Sequence, residues 1–206
     1  ANPGSWAAND FLAVQGDVNA KAIGLAGWIP SSAPTSSAFF TVDRTADVVR
    51  LGGLRIDGTA KPIEEAVVDA AMYVTREGAG STPDVFVTNF TSWGALDKAL
   101  GTKVQYLDLQ GPGKIGFRSI VLNGPKGPIK VIADRSCPGL AGWMLTMNTW
   151  KVLSINQAPH IVGYGSKDPM GWLRISTADA IEARAAAYYN FGCFKPCANA
   201  YVGLSA

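Results

Sequence analysis

The chain has 206 residues, 48% of them hydrophobic and 17% charged, with a formal net charge of +2. That apolar fraction excludes disorder throughout, and the near-neutral balance excludes a polycation that neutralises phosphates by charge alone. Charge below the roughly 25% of ordinary soluble domains marks a surface rich in small and apolar groups, as in a protein that partners cover.

The N-terminus, ANPGSWAAND, lacks the basic-then-apolar pattern of a signal peptide. It has no initiator methionine, so loss of a segment before Ala1 is expected. No apolar run reaches the roughly 20 residues of a membrane helix, so no membrane is expected as a partner. Residues 1 to 30 mix small residues with isolated large ones (Trp6, Phe11, Leu12, Ile23, Leu25, Trp28) and keep no helical or strand period. They read as an extended arm whose apolar side chains dock elsewhere. PSSAPTSSAFF follows as a loop. FFTVD and VVRLGGLRID, β-branched and alternating, read as two strands of a projecting hairpin.

KPIEEAVVDAAMYVTREG, residues 61 to 78, is the clearest helix. Pro62 suits the first helical position, and Glu64 and Glu65 suit the positive end of the helix dipole. Ile63, Val67, Ala70 and Val74 fall on one face, and Gly78 supplies the stop. Ala60, Ala66, Ala70 and Ala71 predict close packing on a sheet. PDVFVTN reads as a buried strand, and NFTSWGALDKALG as a short helix with Trp93, Leu96 and Leu100 on one side. KIGFRSIVLNGPKGPIKVIAD reads as strand, Gly-Pro turn, strand, with Ile129, Val131 and Ala133 opposite Lys130 in facing.

DRSCPGLAGWMLTMNTWKVLS, residues 134 to 154, has no charge after Arg135 except Lys151. It predicts a loop at Cys137, a buried segment to Met147, a turn, and a strand from Trp150. WLRIST, DAIEARAAAYYNFGCF and NAYVGL complete the chain as three strands, the middle one long. The chain shows no internal repeat.

The single histidine, His160, lies in a loop before an apolar pair and reads as a loop or interface residue. The three cysteines, Cys137, Cys193 and Cys197, form no disulfide framework and fit a reducing cytoplasm. CFKPC lacks the spacing of a zinc or redox site, so its cysteines read as small buried hydrophobes and no metal is expected. GYGS is not a phosphate loop, and no nucleophile elbow occurs, so neither cofactor nor catalytic residue is assigned. Tyr188, Tyr189, Phe191 and Phe194 have few basic neighbours, Arg184 and Lys195, and read as core rather than as a base-stacking platform.

The order of elements resembles the major capsid proteins of tailed bacteriophages, the Hong Kong 97 type fold, an α+β class. PDVFVTNFTSWGALDKALG, GPIKVIADRSCPGLAGWMLTMNTWKVLS and ISTADAIEARAAAYYNFGCFKPCANAYVGL carry the resemblance, across most of residues 38 to 206. It implies an N-terminal arm (1–32), an extended β-hairpin loop that overlaps a neighbour (33–60), and a peripheral-domain spine helix (61–83). An axial domain (84–168) and return strands of the peripheral domain (169–206) would follow. Trp93, Trp143, Met144, Met147 and Trp150 would then be axial-domain core. Phe39 and Phe40 would anchor the loop on a neighbour. Arg44, Arg50 and Arg55 would form rim salt bridges there, or a solvated strand face.

The implied function is a virion shell subunit, assembled in the host cytoplasm into pentamers and hexamers. It would enclose double-stranded DNA without sequence preference, with scaffold, portal and cement proteins as further partners. Some relatives weld subunits through a lysine on the loop; residues 33 to 58 contain none, which predicts non-covalent assembly. An encapsulin-type compartment shell shares the fold. A small cytoplasmic hydrolase or binding domain using His160, Asp134 or Cys137 is the alternative from another class.

Overall fold

In a computed structural model of the chain, the described residues are 22–36, 39–100, 120–155, 157, 159–161, 172–174, 180–183 and 185–205. The strands are β1 (Leu54–Gly58), β2 (Val85–Thr88), β3 (Ile120–Gly124), β4 (Gly127–Ala133), β5 (Ala141–Leu145) and β6 (Trp150–Ser154). Then come β7 (His160–Ile161), β8 (Trp172–Arg174), β9 (Ile181–Ala183), β10 (Ala185–Ala186), β11 (Tyr189–Cys193) and β12 (Ala200–Leu204). Four helices are described: α1 (Leu25–Trp28), α2 (Val48–Gly52), α3 (Ile63–Glu77) and α4 (Phe90–Leu100).

Six strands form one mixed sheet in the order β1-β12-β5-β2-β4-β3. The β1/β12 and β2/β4 pairs are parallel and the others antiparallel. Strand alternation deals its side chains to two cores. Leu54, Phe86, Ile129, Met144, Val202 and Leu204 meet α3 and α4 on one face. Ala141, Trp143 and Leu145 meet Ile29, Leu25 and Trp28 of the N-terminal region on the other. Ile29 is fully buried, and its carbonyl accepts from Trp143 Nε1 at 3.1 Å. The arm thus docks at its described end; residues 1–21 lie outside the described residues.

Helix α3 buries Ile63, Ala66, Val67, Ala70, Ala71 and Val74, the face its spacing predicts. Pro62 occupies the N-cap, one position before the expected one, and the Gly78 N–H closes the last turn on Val74 O at 2.8 Å. The helix lies so close to the sheet that a Cβ on Gly58 would sit 2.6 Å from that of Ala66. Ala60 lies outside this contact and is exposed. Asn89 caps α4, its side chain accepting from Ser92 N at 2.7 Å. Leu96 is buried beneath it, with Trp93 and Leu100 partly buried beside it. The β3–β4 hairpin buries Ile129 and Val131 and exposes Lys130, as its alternation predicts.

Two expectations are corrected. The hairpin over FFTVD and VVRLGGLRID does not form. Arg44–Asp47 is a 3-10 turn, Val48–Gly52 is helical, and only Leu54–Gly58 is a strand, paired within the central sheet. Local caps outweigh the β-branched composition here. Asp43 Oδ1 accepts from Thr45 N at 2.9 Å and Asp47 Oδ1 from Arg50 N at 2.8 Å. Gly53, at φ +77°, then turns the chain into β1.

The long strand over residues 179 to 194 is likewise broken. Strands β9, β10 and β11 pair with β8, β7 and β6 respectively, in three separate two-stranded ribbons. The alanine run at 185–187 offers little side chain to hold one continuous face.

Candidate functional site

Asp134 and Cys137 share one turn, and among the described residues no hydrogen bond joins His160 to either. His160 Nδ1 lies 3.1 Å from Gln157 O, and its ring faces Tyr188 at 6.2 Å. Asp134 is spent on a local turn, accepting from Ser136 N at 2.7 Å. Burial, and then the charge of Asp134, pushes the Cys137 thiol up to about 11, far from a thiolate at neutral pH. Its Sγ lies 3.5 Å from Ala141 O. No group of three or more His, Cys, Asp or Glu able to hold a metal occurs among the described residues. No helix among them is long and apolar enough to cross a membrane.

The distinctive surface is the ribbon of β6 and β11. Registers run Trp150↔Cys193, Val152↔Phe191 and Ser154↔Tyr189 on one set of pairs, and Lys151↔Gly192 and Leu153↔Asn190 on the alternate set. Both faces carry exposed apolar groups: Val152 is 62% exposed and Phe191 41%, while Leu153 is 51% exposed and Ile155, just past the strand, 86%. Tyr188, Tyr189, Phe191 and Phe194, expected in the core, are all exposed because β11 pairs with β6 and no layer of described residues covers the pair. Lys195 is tied to Ala79 O at 3.3 Å and Ser81 Oγ at 2.9 Å, so the series lacks that cation as a phosphate partner.

Beside the ribbon lies an aromatic cluster. Phe39 and Val42 bridge through a two-residue turn whose central residues, Phe40 and Thr41, hold φ of +49° and +66°. Such positions favour Asn and Gly, so a Phe-Thr pair there is strained. The turn folds Phe40 onto Trp28, with centroids 5.7 Å apart and rings stacked, and Phe39 edge-on to the same indole at 5.0 Å. Trp150 closes the cluster at 6.5 Å. The two predicted anchors are thus together, with Phe40 54% exposed.

The three arginines part company. Arg44 Nη1 donates to Gly27 O at 3.0 Å and to Trp28 O, and its guanidinium covers the Phe39 ring at 4.1 Å. Arg55 donates to Gly52 O at 3.2 Å and Val48 O at 3.1 Å. Burial, then the like charge of Arg55, lowers the pKa of Arg44. Both arginines hold their own chain's turns together, while Arg50 is exposed. Trp28 Nε1 and Arg44 Nε are buried donors with no acceptor among the described residues.

The tryptophans do not share one core. Trp93 packs on the α3 side of the sheet, Trp143 is buried on the opposite side, and Trp150 is half-buried at the base of the ribbon. Met144 is fully buried, whereas Met147 is exposed in the turn.

One residue of consequence escaped the sequence reading. Asn199 is fully buried, and its Oδ1 accepts from Thr146 N and Trp150 Nε1, each at 2.9 Å. Its Nδ2 donates to Thr149 Oγ1 at 3.0 Å, Lys195 O at 3.1 Å and Cys193 Sγ at 3.5 Å. It therefore fastens the ribbon to the sheet. The one available signal was an asparagine directly before an apolar strand, which usually means no more than a turn.

No protein-family model matches the chain, and no curated protein matches it. Its fold is similar to a solved structure, the cyanophage A-1(L) capsid asymmetric unit, with a TM-score of 0.58 at 14% sequence identity. The similarity takes in 88% of this chain, which spans 58% of the length of that one. The chain thus has a phage capsid-like fold of mixed helix and sheet.

Proposed function

We propose that the chain is a structural shell subunit of a tailed-phage capsid of the Hong Kong 97 type, working by self-assembly rather than catalysis. The observation that carries this reading is the β6–β11 ribbon. A two-stranded ribbon is marginal in water, and this one exposes Val152 and Phe191 as a facing apolar pair. A second copy supplies the missing layer. The phage capsid-like fold supports the same reading.

Contacts of this kind, repeated between copies, close under symmetry into pentamers and hexamers. Each is weak, and many together hold a shell around double-stranded DNA. Residues 33–60 act as the overlapping loop, its base anchored in the sheet by Leu54–Gly58, and Phe40 presents the apolar anchor at its turn. Arg50 is the arginine left for a neighbour's carboxylate.

Negative-stain electron microscopy, with light scattering after size exclusion, tests the reading. Closed shells or rings of subunits are the expected result for the wild-type chain. The double variant Val152→Ser/Phe191→Ser should remain monomeric while its unfolding free energy stays within about 1 kcal/mol of wild type, since both side chains are exposed in the free subunit. A compact wild-type monomer at every concentration would overturn the proposal.

A further inference from the structure

Strand β1 ends the six-stranded sheet, and among the described residues nothing pairs with its outer edge. We infer that this edge joins the same edge of a second copy, antiparallel about a two-fold axis at Ile56, so that two sheets continue as one.

The backbone decides which groups are on offer. Leu54 N donates to Asn199 O at 2.9 Å, so Leu54, Ile56 and Gly58 turn their N–H and C=O groups towards β12. Arg55 and Asp57 therefore turn theirs outward. Antiparallel pairing about Ile56 sets Arg55 opposite Asp57 of the second copy, and Asp57 opposite its Arg55. Four backbone hydrogen bonds then satisfy every outward N–H and C=O of both residues in both copies. Ile56 meets Ile56 at the non-bonded position, where facing side chains come closest.

The side chains agree with that register. Leu54 and Ile56 face α3, so Arg55 and Asp57 share the other face of the sheet. Asp57 is exposed, and the ion pairs among the described residues, Lys61–Asp69 and Arg76–Glu77, leave Arg55 without a carboxylate. The guanidinium stays on the Gly52 and Val48 carbonyls, and its unmatched charge faces the Asp57 carboxylate of the second copy. Parallel pairing in register would instead set Arg55 against Arg55 and Asp57 against Asp57. The strand holds no proline to block an added neighbour. Ile56 lines, with Lys61, Asp69 and Tyr73, an open hollow of about 640 Å³ that leaves room for the facing isoleucine. Four net backbone bonds give an affinity no tighter than about millimolar. The edge alone thus leaves copies separate at size-exclusion dilution, and it adds where other contacts hold copies together. It stands on the strand edge and is independent of the ribbon contact.

Disulfide trapping tests it, with Ile56→Cys placed in the Val152→Ser/Phe191→Ser chain so that the edge is read without the ribbon contact. Diamide is the oxidant, the chain is held near its millimolar affinity, and mass spectrometry identifies the linked peptides. The peptide joined 56 to 56 should accumulate about tenfold faster than the one joined 60 to 60 in Ala60→Cys, an exposed position outside the pairing. Equal rates at the two positions would overturn the inference, whether or not the wild-type chain forms shells. Adding Asp57→Lys to the Ile56→Cys chain sets a lysine against Arg55 of the other copy and should slow trapping about fivefold. Mixing that chain with Ile56→Cys/Arg55→Glu restores both opposite-charge pairs and should recover the rate in mixed dimers, which a loss of fold could not do. Trapping indifferent to these charges, or a mixture no faster than either chain alone, would also overturn it.

Discussion

Strands β5 and β6 are separated by residues 146 to 149 and end in opposite environments. The first reads AGWML and is buried at every position; the second reads WKVLS and is exposed everywhere beyond Trp150. Both contain a tryptophan and a leucine, and both pair in regular antiparallel register. The difference lies in what is brought to them. Strand β5 has β12 on one side and β2 on the other, with α3 over one face and Ile29 over the opposite one. Among the described residues, strand β6 has β11 alone. Burial here is a property of distant partners.

The largest effect should come from the closed region. Phe86→Ala empties the centre of the sheet, where the ring fills the space a Cβ on Gly142 would invade, and should cost about 4 kcal/mol in urea unfolding. The matched change on the ribbon, Phe191→Ala, should cost no more than about 0.5 kcal/mol in the monomer. Equal costs would break the contrast between the two regions.

Next comes the joint between them. Asn199→Ala leaves the buried Thr146 N and the part-buried Trp150 Nε1 without their partner. A loss of about 3 kcal/mol is expected, since each abandoned buried group carries its own desolvation cost. Ribbon amides should lose protection before those of β5 do. If ribbon and sheet instead lost protection together, the two would be one cooperative unit and not a closed body with an attached ribbon.

Much of the closed region was legible in the sequence. The spacing of Ile63, Val67, Ala70 and Val74, and the alternation of Ile129, Lys130 and Val131, are local signals, and local signals suffice where a layer waits on one side. The ribbon was misread for the converse reason. Tyr189 and Phe191 have the composition of core residues, and nothing within the sequence says that β11 finds a single neighbour among the described residues. The hairpin over residues 39–57 failed differently. Asp43 and Asp47 are cap residues, but a run such as VVRL outweighs them unless the side-chain bond to Thr45 or Arg50 is known. Trp93, Trp143 and Trp150 were grouped by type, while the sheet's parity and the turn at Met147–Thr149 send them to different faces. Asn199 was invisible because its five partners are scattered over residues 146 to 195.

The smallest effect on the fold measures how completely the second face of the sheet is covered. Cys137 packs there, beside Trp143 and Ile29, and its raised thiol pKa reports that cover. With the folded value at about 11 against an ordinary 9.0, the thiolate fraction in neutral buffer falls about a hundredfold. Alkylation of Cys137 should be slower than that of a free thiol, by less than that factor because a more basic thiolate is the better nucleophile. The protonated thiol is favoured in the native state, so its contribution is whole below pH 9.0 and is lost as pH rises towards about 11. Cys137→Ser should remove that alkaline component and leave the rest of the pH profile in place. Ile29→Ala, which thins the cover without touching the thiol, should speed alkylation. If it did not, Asp134 rather than burial would be setting the thiol, and the N-terminal layer over β5 would be looser than the layer formed by α3.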